Sequence, residues 1–204
     1  MLEEINYEAL ENFLSVDRMA TYLRLANSNK EKAIVLYQEN LKQCQIFYAQ
    51  LHWLEIGLRN AINFQLSKKY GDAWFDNANI GLNEKDKSQI QKAKKNLEKE
   101  GKSVTNGSLV SAVNFGFWVN LFNLYYDTLW RHCLRQAFKP KTGSLERKQL
   151  SKRLHPILKL RNRIAHYEPI LDYDLEKMQQ DIIDIVHLIE PNITVSIYKE
   201  ETKQ

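Results

Sequence analysis

The stretch NKEKAIVLYQENLKQCQIFYAQLHWLEIGLRNAINFQLSKKYG, residues 29–71, has a continuous helical pattern from Asn29 to about Tyr70. Gly71 stands where a left-handed residue ends many helices. About 40 residues at a rise of 1.5 Å would span ~60 Å if the helix were unbroken. Because this exceeds an ordinary domain helix, we expect a bend, or an end that projects and pairs with another chain.

Two shorter helices are predicted on the N-terminal side of this stretch. Residues 7–14 form the first. Ser15 is placed to cap the second, and Asp17 in its first turn suits the positive end of the helix dipole. The second helix runs to about Ala26, where the sequence NSN ends it.

A polar, lysine-rich helical arm is predicted at about residues 84–102. Asn83 caps the sequence EKDKSQIQKAKKNLEKE, which holds six lysines and few apolar residues, and Gly101 ends it. We therefore expect a surface helix. Two interpretations stay open: a solvated arm with charge pairs four residues apart, or a basic arm that faces RNA.

An apolar region follows the arm. Ser108 is predicted to cap an apolar helix pair that reaches Phe138. Trp118, Phe122 and Tyr125 fall on one helical face there. An aromatic stripe at helical spacing is more often core than a base-stacking surface.

Three further helices are predicted toward the C-terminus. Ser144 caps the first, which ends near Leu154, and Pro156 suits the first turn of the second. Pro169 interrupts that second helix. The third runs from about residue 172 to 190, and the tail NITVSIYKEETKQ alternates enough to allow one short strand.

The composition agrees with a mostly helical single domain. The 204 residues include only seven Gly and four Pro, with 44% hydrophobic and 26% charged residues. The small number of helix breakers favours a mostly helical chain, and the length favours one core. We predict an all-α bundle over residues 1–204 that ends in a short irregular tail.

Charge and cysteine content limit the partners and the compartment. A net charge of +4 and a pI near 8.9 would help to hold a polyanion. The N-terminus MLEEINYEAL lacks the apolar core of a signal peptide, and no apolar run approaches a membrane span of ~18 residues. Cys44 and Cys133 fit two free thiols in a reducing cytoplasm. We therefore expect a cytoplasmic protein with no membrane partner.

The segment LRNRIAHYEP, residues 160–169, places basic and polar groups inside an apolar helical pattern. Its apolar stripe consists of Ile157, Leu158, Ile164 and Ala165. Arg161 lies on the same stripe, where a guanidinium is costly unless a carboxylate pairs with it. Glu55 in the long helix is a partner for such a pair, although it could instead pair with Arg59 one turn further on.

His166 does not share a helical face with Arg161, because residues five apart differ by about 140°. Asn162 and Arg163 are better same-face partners of His166. Arg161 and His166 converge only if the helix frays before Pro169, or if a second copy of the helix supplies the other half. A two-fold dimer would gather two copies of each in one cleft.

Arginine and histidine in one cleft suit the cleavage of a phosphodiester without a metal. Imidazole titrates near neutral pH and transfers protons. Guanidinium stays charged and matches phosphate oxygens with two parallel hydrogen bonds. RNA supplies its own 2′-OH nucleophile. The protein then has to position that hydroxyl and stabilise the charge of the transition state.

Several blocks of the sequence resemble one family in their order. LRNRIAHYEPI resembles the RN-xx-AH-x-EP-I signature of Abi-like abortive-infection proteins, which belong to the HEPN superfamily with its R-x4-6-H motif. LHWLEIGLRNAI with YGDAWF, and NFGFWVNLFNLYYDTLW, resemble other helical blocks of that family. The resemblance runs from about Val16 to Ile189. These blocks together are much more specific than the short motif, which recurs by chance in helical proteins.

The resemblance implies a fold, an activity and partners. The fold is a HEPN-like bundle with long antiparallel helices, in a homodimer with the motif at its interface. The activity is metal-independent endoribonuclease cleavage of RNA, used as a toxin or abortive-infection effector in phage defence. A protein antitoxin is a candidate partner, and no cofactor or metal is implied.

The resemblance also implies roles for individual residues. Arg161 and His166 would be catalytic, and Asn162 supporting. Arg163, on the face of His166, is a further supporting candidate. The residues that match the family's LE-xx-LRN block, and that would line or brace the same cleft, are Glu55, Arg59 and Asn60. Tyr167 stands where many relatives in the wider superfamily carry a second His or polar residue, so the second proton-transfer group is open: a second His166 across the dimer, or none.

Two other functions compete with an RNase. The first is a catalytically inactive helical module that binds RNA or protein, in which Arg161 forms a structural ion pair. The second is a metalloenzyme, whose ligands would come from the five histidines, His52, His132, His155, His166 and His187. These are scattered, and neither H-x3-H nor H-E-x-x-H occurs.

Overall fold

The protein is all-α in the computed structural model, which describes residues 6–193. Within that range there are nine α-helices, four short 3₁₀ turns and no strand. The helices are α1 (Tyr7–Leu14), α2 (Val16–Leu25), α3 (Lys30–Tyr70), α4 (Glu84–Lys99), α5 (Asn106–Ala112), α6 (Phe115–Asn120), α7 (Asp127–His132), α8 (Arg147–Ala165) and α9 (Leu175–Ile189). The 3₁₀ turns are Trp74–Asp76, Ala78–Ile80, Leu124–Tyr126 and Leu134–Ala137. The strand expected in the tail falls mainly in residues 194–204, outside the described residues.

Helix α3 is the central element and runs without interruption for 41 residues. The Asn29 side chain accepts a hydrogen bond from the Lys32 N–H at 2.7 Å, which fixes its start. Gly71, with a φ of 83°, ends it as predicted. Helices α1 and α2 pack on α3, as do α5, α6, α8 and α9.

The packing around α3 is divided between two apolar clusters. A small cluster holds α1 and α2 against the N-terminal part of α3, and its buried residues are Tyr7, Met19, Tyr22, Ala26 and Ala33. A large cluster joins the rest of α3 to α4–α9 and contains most of the buried aromatic residues, including Trp74, Trp118 and Phe122. The N-terminal part of α3 is therefore covered within the chain and does not project alone.

The loop between α8 and α9 is fixed to α3. Ile170 is fully buried in the large cluster, while Leu171 packs against the small one. The Ile170 N–H donates to the buried side chain of Asn40 at 2.7 Å. Because a buried N–H needs an acceptor, this bond holds the loop that carries the C-terminal half of the motif.

Residues 105–138 differ from the predicted helix pair. Thr105, rather than Ser108, is the N-cap, and the Ser108 hydroxyl accepts from the Thr105 N–H to complete a capping box. The apolar run then breaks, because Asn114 caps a new helix by accepting from the Phe117 N–H at 3.0 Å. Tyr125 is exposed and does not share the buried face of the other predicted aromatic residues.

Helix α8 also differs from its prediction. Glu146, rather than Ser144, is the N-cap residue, and the Gln149 side chain accepts from its N–H at 3.0 Å. Pro156 does not start a new helix but lies inside α8. The flanking residues Leu154, Ile157 and Leu160 are fully buried, and their packing outweighs the one backbone hydrogen bond that proline removes.

Helix α4 is a surface helix with one packed face. Asp86, Ile90, Ala93 and Leu97 are buried against the rest of the chain. The Tyr126 hydroxyl donates to the Asp86 carboxylate at 2.5 Å and ties this face to the aromatic region. The lysine-rich face points to solvent. None of the described helices combines the length and apolarity that crossing a bilayer requires.

Candidate functional site

A half-open cavity of about 490 Å³ lies where α3, α8 and the α5–α6 junction meet. Its volume falls in the range of small-molecule sites. One stripe of α3 forms a wall, with residues spaced three or four apart: Leu41, Gln45, Tyr48, His52, Ile56 and Arg59. The end of α8 contributes Arg161, Ile164 and Ala165, and Tyr167 follows it. Val113, Phe115 and Trp118 line the cavity from the α5–α6 side.

Arg161 forms an ion pair with Glu55 across the α3–α8 contact. Its Nε donates to Oε1 of Glu55 at 2.7 Å. The pair is partly exposed, at 37% for the arginine side chain and 25% for the glutamate side chain. Glu55 therefore pairs with Arg161 rather than with Arg59. The terminal nitrogens of Arg161 donate to none of the described residues, so they remain available to an anion.

Arg59 gives the cavity an excess of positive charge. No carboxylate within residues 6–193 lies at ion-pair distance from its guanidinium, and its Nε is buried without an acceptor among those residues. The cavity therefore holds two guanidinium groups against the single carboxylate of Glu55. A partly buried, unpaired arginine is costly, and a bound anion would remove that cost.

His166 lies just outside this cavity, at the end of α8. It is the C-cap residue, and its backbone N–H donates to the carbonyl oxygens of Asn162 and Arg163 at 3.0 and 3.1 Å. Its side chain is exposed. Asn60 and Asn162 are also exposed. The described residues that line the cavity do not include His166, Asn60, Asn162 or Arg163.

Tyr167 terminates α8 in a strained conformation. Its φ of 58° is in the left-handed region, where glycine is the usual residue. The Glu168 N–H donates to the Arg163 carbonyl at 2.8 Å and the Tyr167 N–H to the Ile164 carbonyl at 3.0 Å, which is the Schellman pattern. The Arg18 guanidinium donates to the Tyr167 carbonyl oxygen and holds the turn in place. A large side chain is thus kept at a glycine position on the cavity rim.

Arg163 stabilises the loop after α8 and does not reach the cavity. Its guanidinium forms long ion pairs with Glu168 at 3.4 Å and Asp172 at 3.8 Å. It also lies over the Tyr173 ring, 5.6 Å from the centroid. Its contacts therefore fix the loop that follows His166.

His52 lines the cavity, whereas in the sequence it stood out only as one of five scattered candidate metal ligands. It lies one turn before Glu55 and two turns before Arg59 on the same stripe of α3. Its side chain is exposed. The spacing of three and seven residues was visible in the sequence, but the stripe could be identified as a cavity wall only once α8 was placed beside it.

Two further residues of the cavity wall are Cys44 and Trp118. Burial raises the pKa of the Cys44 thiol, which favours the neutral form over the nucleophilic thiolate. Trp118 is almost fully buried, and its indole N–H donates to no acceptor among residues 6–193. In the described part of the chain, no group of three His, Cys, Asp or Glu side chains is arranged to hold a metal ion.

Comparisons of the chain with protein-family models, with curated proteins and with solved structures found no match.

Proposed function

We propose that the protein is a cytoplasmic, metal-independent endoribonuclease of the HEPN type. The observation that carries the proposal is the cavity in which Arg161 and the unpaired Arg59 face one carboxylate. Two guanidiniums at one cleft favour a phosphodiester over a neutral ligand. The sequence blocks around both arginines, LE-xx-LRN and RN-xx-AH-x-EP-I, carry the resemblance that suggests RNA as the substrate.

The proposed reaction uses the 2′-OH of the RNA. The 2′-oxygen loses its proton and forms a bond to phosphorus while the bond from phosphorus to the 5′-oxygen breaks, and the departing 5′-oxygen takes up a proton. The products are a 2′,3′-cyclic phosphate and a 5′-hydroxyl. Arg161 and Arg59 would stabilise the phosphorane oxygens, and His166 would serve as one proton-transfer group.

A second copy of the chain would complete the site. Within one chain His166 lies outside the cavity that holds Arg161, so joint action requires its delivery from elsewhere. The cavity rim is apolar and exposed: Tyr48 is 74% and Tyr167 78% exposed, and Leu41 is also exposed. Apolar side chains that are exposed together around one cavity are a feature of interaction sites. We therefore infer a homodimer in which the His166 of each chain faces the cavity of the other.

The biological role follows from the resemblance. An RNase of this kind would act as a toxin or abortive-infection effector in phage defence, and an antitoxin protein would be one way to control it. An antitoxin would have to block the cavity or separate the two chains.

The proposed function is tested by incubating the purified protein with mixed-sequence RNA in the presence of EDTA. We expect cleavage that leaves 2′,3′-cyclic phosphate ends, and no cleavage of an RNA whose 2′-hydroxyls are replaced by hydrogen. His166→Ala should fold normally, because the side chain is exposed, and should not cleave. Normal cleavage by a folded His166→Ala protein would exclude the proposed mechanism.

A catalytically inactive helical module is the second candidate function. The observation that favours it is the Arg161–Glu55 ion pair, which forms within a single chain and so gives Arg161 a structural role. This candidate predicts RNA or protein binding without cleavage under any condition. Absence of cleavage by a dimeric, nuclease-free preparation would favour it.

A further inference from the structure

We propose that His52 is the second proton-transfer group of this site. The inference rests on the proposed function, because cleavage through the 2′-OH needs one group to accept a proton and another to donate one. His166 can fill one of these roles. In the proposed dimer each cavity receives one His166, so a second proton-transfer group has to come from another residue of that cavity.

The position of His52 fits that role. It lies on α3 one turn before Glu55, and both line the cavity that contains Arg161. The His52 side chain is exposed and has no hydrogen-bond partner among residues 6–193, so both ring nitrogens are free to meet a substrate. Its ring meets the Trp53 ring edge-on, with the two centroids 6.2 Å apart.

Other ionisable groups in the cavity are less suited to proton transfer. Glu55 is held by the Arg161 guanidinium through a 2.7 Å bond. The Cys44 thiol has its pKa raised by burial and stays protonated at neutral pH. Arginine does not titrate in a useful range. Imidazole is the group whose ordinary titration lies near neutral pH, and His52 is the histidine that lines the cavity.

The two histidines balance the protons of the reaction. One imidazole accepts the proton of the 2′-OH as the 2′-oxygen bonds to phosphorus. The other imidazole donates a proton to the 5′-oxygen as its bond to phosphorus breaks. No oxidant, metal or further reactant enters, and the two histidines exchange protons with water after product release.

The test compares His52→Ala and His52→Gln with the wild type and with His132→Ala, a control at an exposed histidine outside the cavity. We expect kcat to fall by about 100-fold or more in both His52 variants with KM little changed, as for removal of a general acid or base. One limb of the pH–rate profile should disappear in the residual cleavage by the His52 variants, and the limb that remains should belong to His166. The control should match the wild type in both measurements.

Cleavage of an RNA with sulfur in place of the bridging 5′-oxygen then shows whether His52 is the general acid or the general base. A thiolate leaves without a proton, so full rescue of His52→Ala on this substrate identifies His52 as the acid. Persistence of the defect together with the lost pH limb identifies it as the base.

Two results would overturn the inference about His52 and leave the proposed function standing. Wild-type-like cleavage by both His52 variants, with His166→Ala inactive, would exclude His52 from proton transfer and leave the proposed RNase activity supported. A slower His52 variant with both pH limbs unchanged would reduce His52 to a structural role. Absence of cleavage by the wild type would overturn the RNase proposal and this inference together.

Discussion

Arg161 resolves the main anomaly of the sequence, a guanidinium on an apolar helical stripe. The structure places it at the edge of the core, where one of its nitrogens pairs with Glu55 and the rest of its side chain faces the cavity. In this position the arginine neutralises Glu55. Under the proposed function it also binds a phosphate with the nitrogens left free, and stability and cleavage measured on the same variant distinguish the two roles.

The stability cost of removing Arg161 should be small. Because 37% of its side chain is exposed and solvent screens the pair, we expect Arg161→Ala to lower the free energy of unfolding by about 1 kcal/mol or less. A buried pair would cost ~3–5 kcal/mol. Urea unfolding measures the difference, with Glu55→Gln as the matched control. RNA cleavage by Arg161→Ala should be lost despite this small cost, and a cost above ~3 kcal/mol would show a mainly structural residue.

Tyr167 should show a trade-off between stability and activity. The left-handed backbone costs a non-glycine residue about 1–2 kcal/mol, which a glycine at this position would not incur. Glycine loses ~0.5–1 kcal/mol more chain entropy on folding, which offsets part of that gain. We therefore expect Tyr167→Gly to be at least as stable as the wild type in urea unfolding. Because its side chain lines the rim of the cavity, the variant should cleave RNA more slowly. Tyr167→Ala, which keeps the strain without the ring, is the control. A clear loss of stability in Tyr167→Gly would contradict the conclusion that the Tyr167 backbone is strained.

At the scale of elements, α3 provides most of the site. Its buried face builds the core, while the stripe of Tyr48, His52 and Arg59 faces the cavity. The same helix therefore contributes to both the core and the cavity. Its Asn40 side chain also fixes the loop after α8. The geometry between Arg161 and the α3 residues depends on packing along this one helix.

Helix α4 carries a separate surface of one charge. Lys85, Lys92, Lys95 and Lys99 lie within about 80° of one another on an ideal helix. All four are exposed, and none forms an ion pair with a residue in the range 6–193. This lysine face is opposite in charge to an RNA backbone.

We expect the lysine face to contribute to RNA affinity through charge alone. In a His166→Ala background, replacing the four lysines by glutamine should reduce the slope of log Kd against log salt by about 3, at ~0.7 per phosphate contact on single strands. Lys87 and Lys94, which pair with Glu84 and Asp76, provide the control pair. An unchanged slope in the fourfold variant would show a solvated face with no contact to RNA.

The sequence predicted helix caps better than it predicted features that depend on packing between distant residues. Both caps of α3, the cap of α2 and the start of α4 were correct, because an Asn or Ser side chain and a terminal Gly act within one turn. The start of α8 was wrong because Ser144 and Glu146 both precede the helix, and periodicity does not rank them. Continuation through Pro156 was missed because it depends on the packing of distant residues.

The candidate site was predictable only in part for the same reason. Glu55 and Arg161 were proposed as partners from their helical faces, and the structure brings them together. His52 was not singled out, because the meaning of its stripe depends on where α8 lies. The position of His166 outside the single-chain cavity follows from the 140° offset, which the sequence already contained.

At the scale of the whole molecule, the proposed site requires two chains. Arg161 and His52 belong to the cavity of one chain, while His166 lies outside it and would face the cavity of a partner. The exposed apolar rim of Tyr48 and Tyr167 would be covered in such a dimer. Each dimer would then contain two equivalent sites, as expected for an isologous interface.

The most direct test of this central claim is subunit complementation. Arg161→Ala and His166→Ala chains, each inactive alone, are co-expressed with different tags and the heterodimer is purified through both. One of its two sites then combines an intact Arg161 with an intact His166, so we expect RNA cleavage at about half the wild-type rate. A heterodimer as inactive as its parents, or a wild-type protein that is monomeric or does not cleave RNA, would contradict the account.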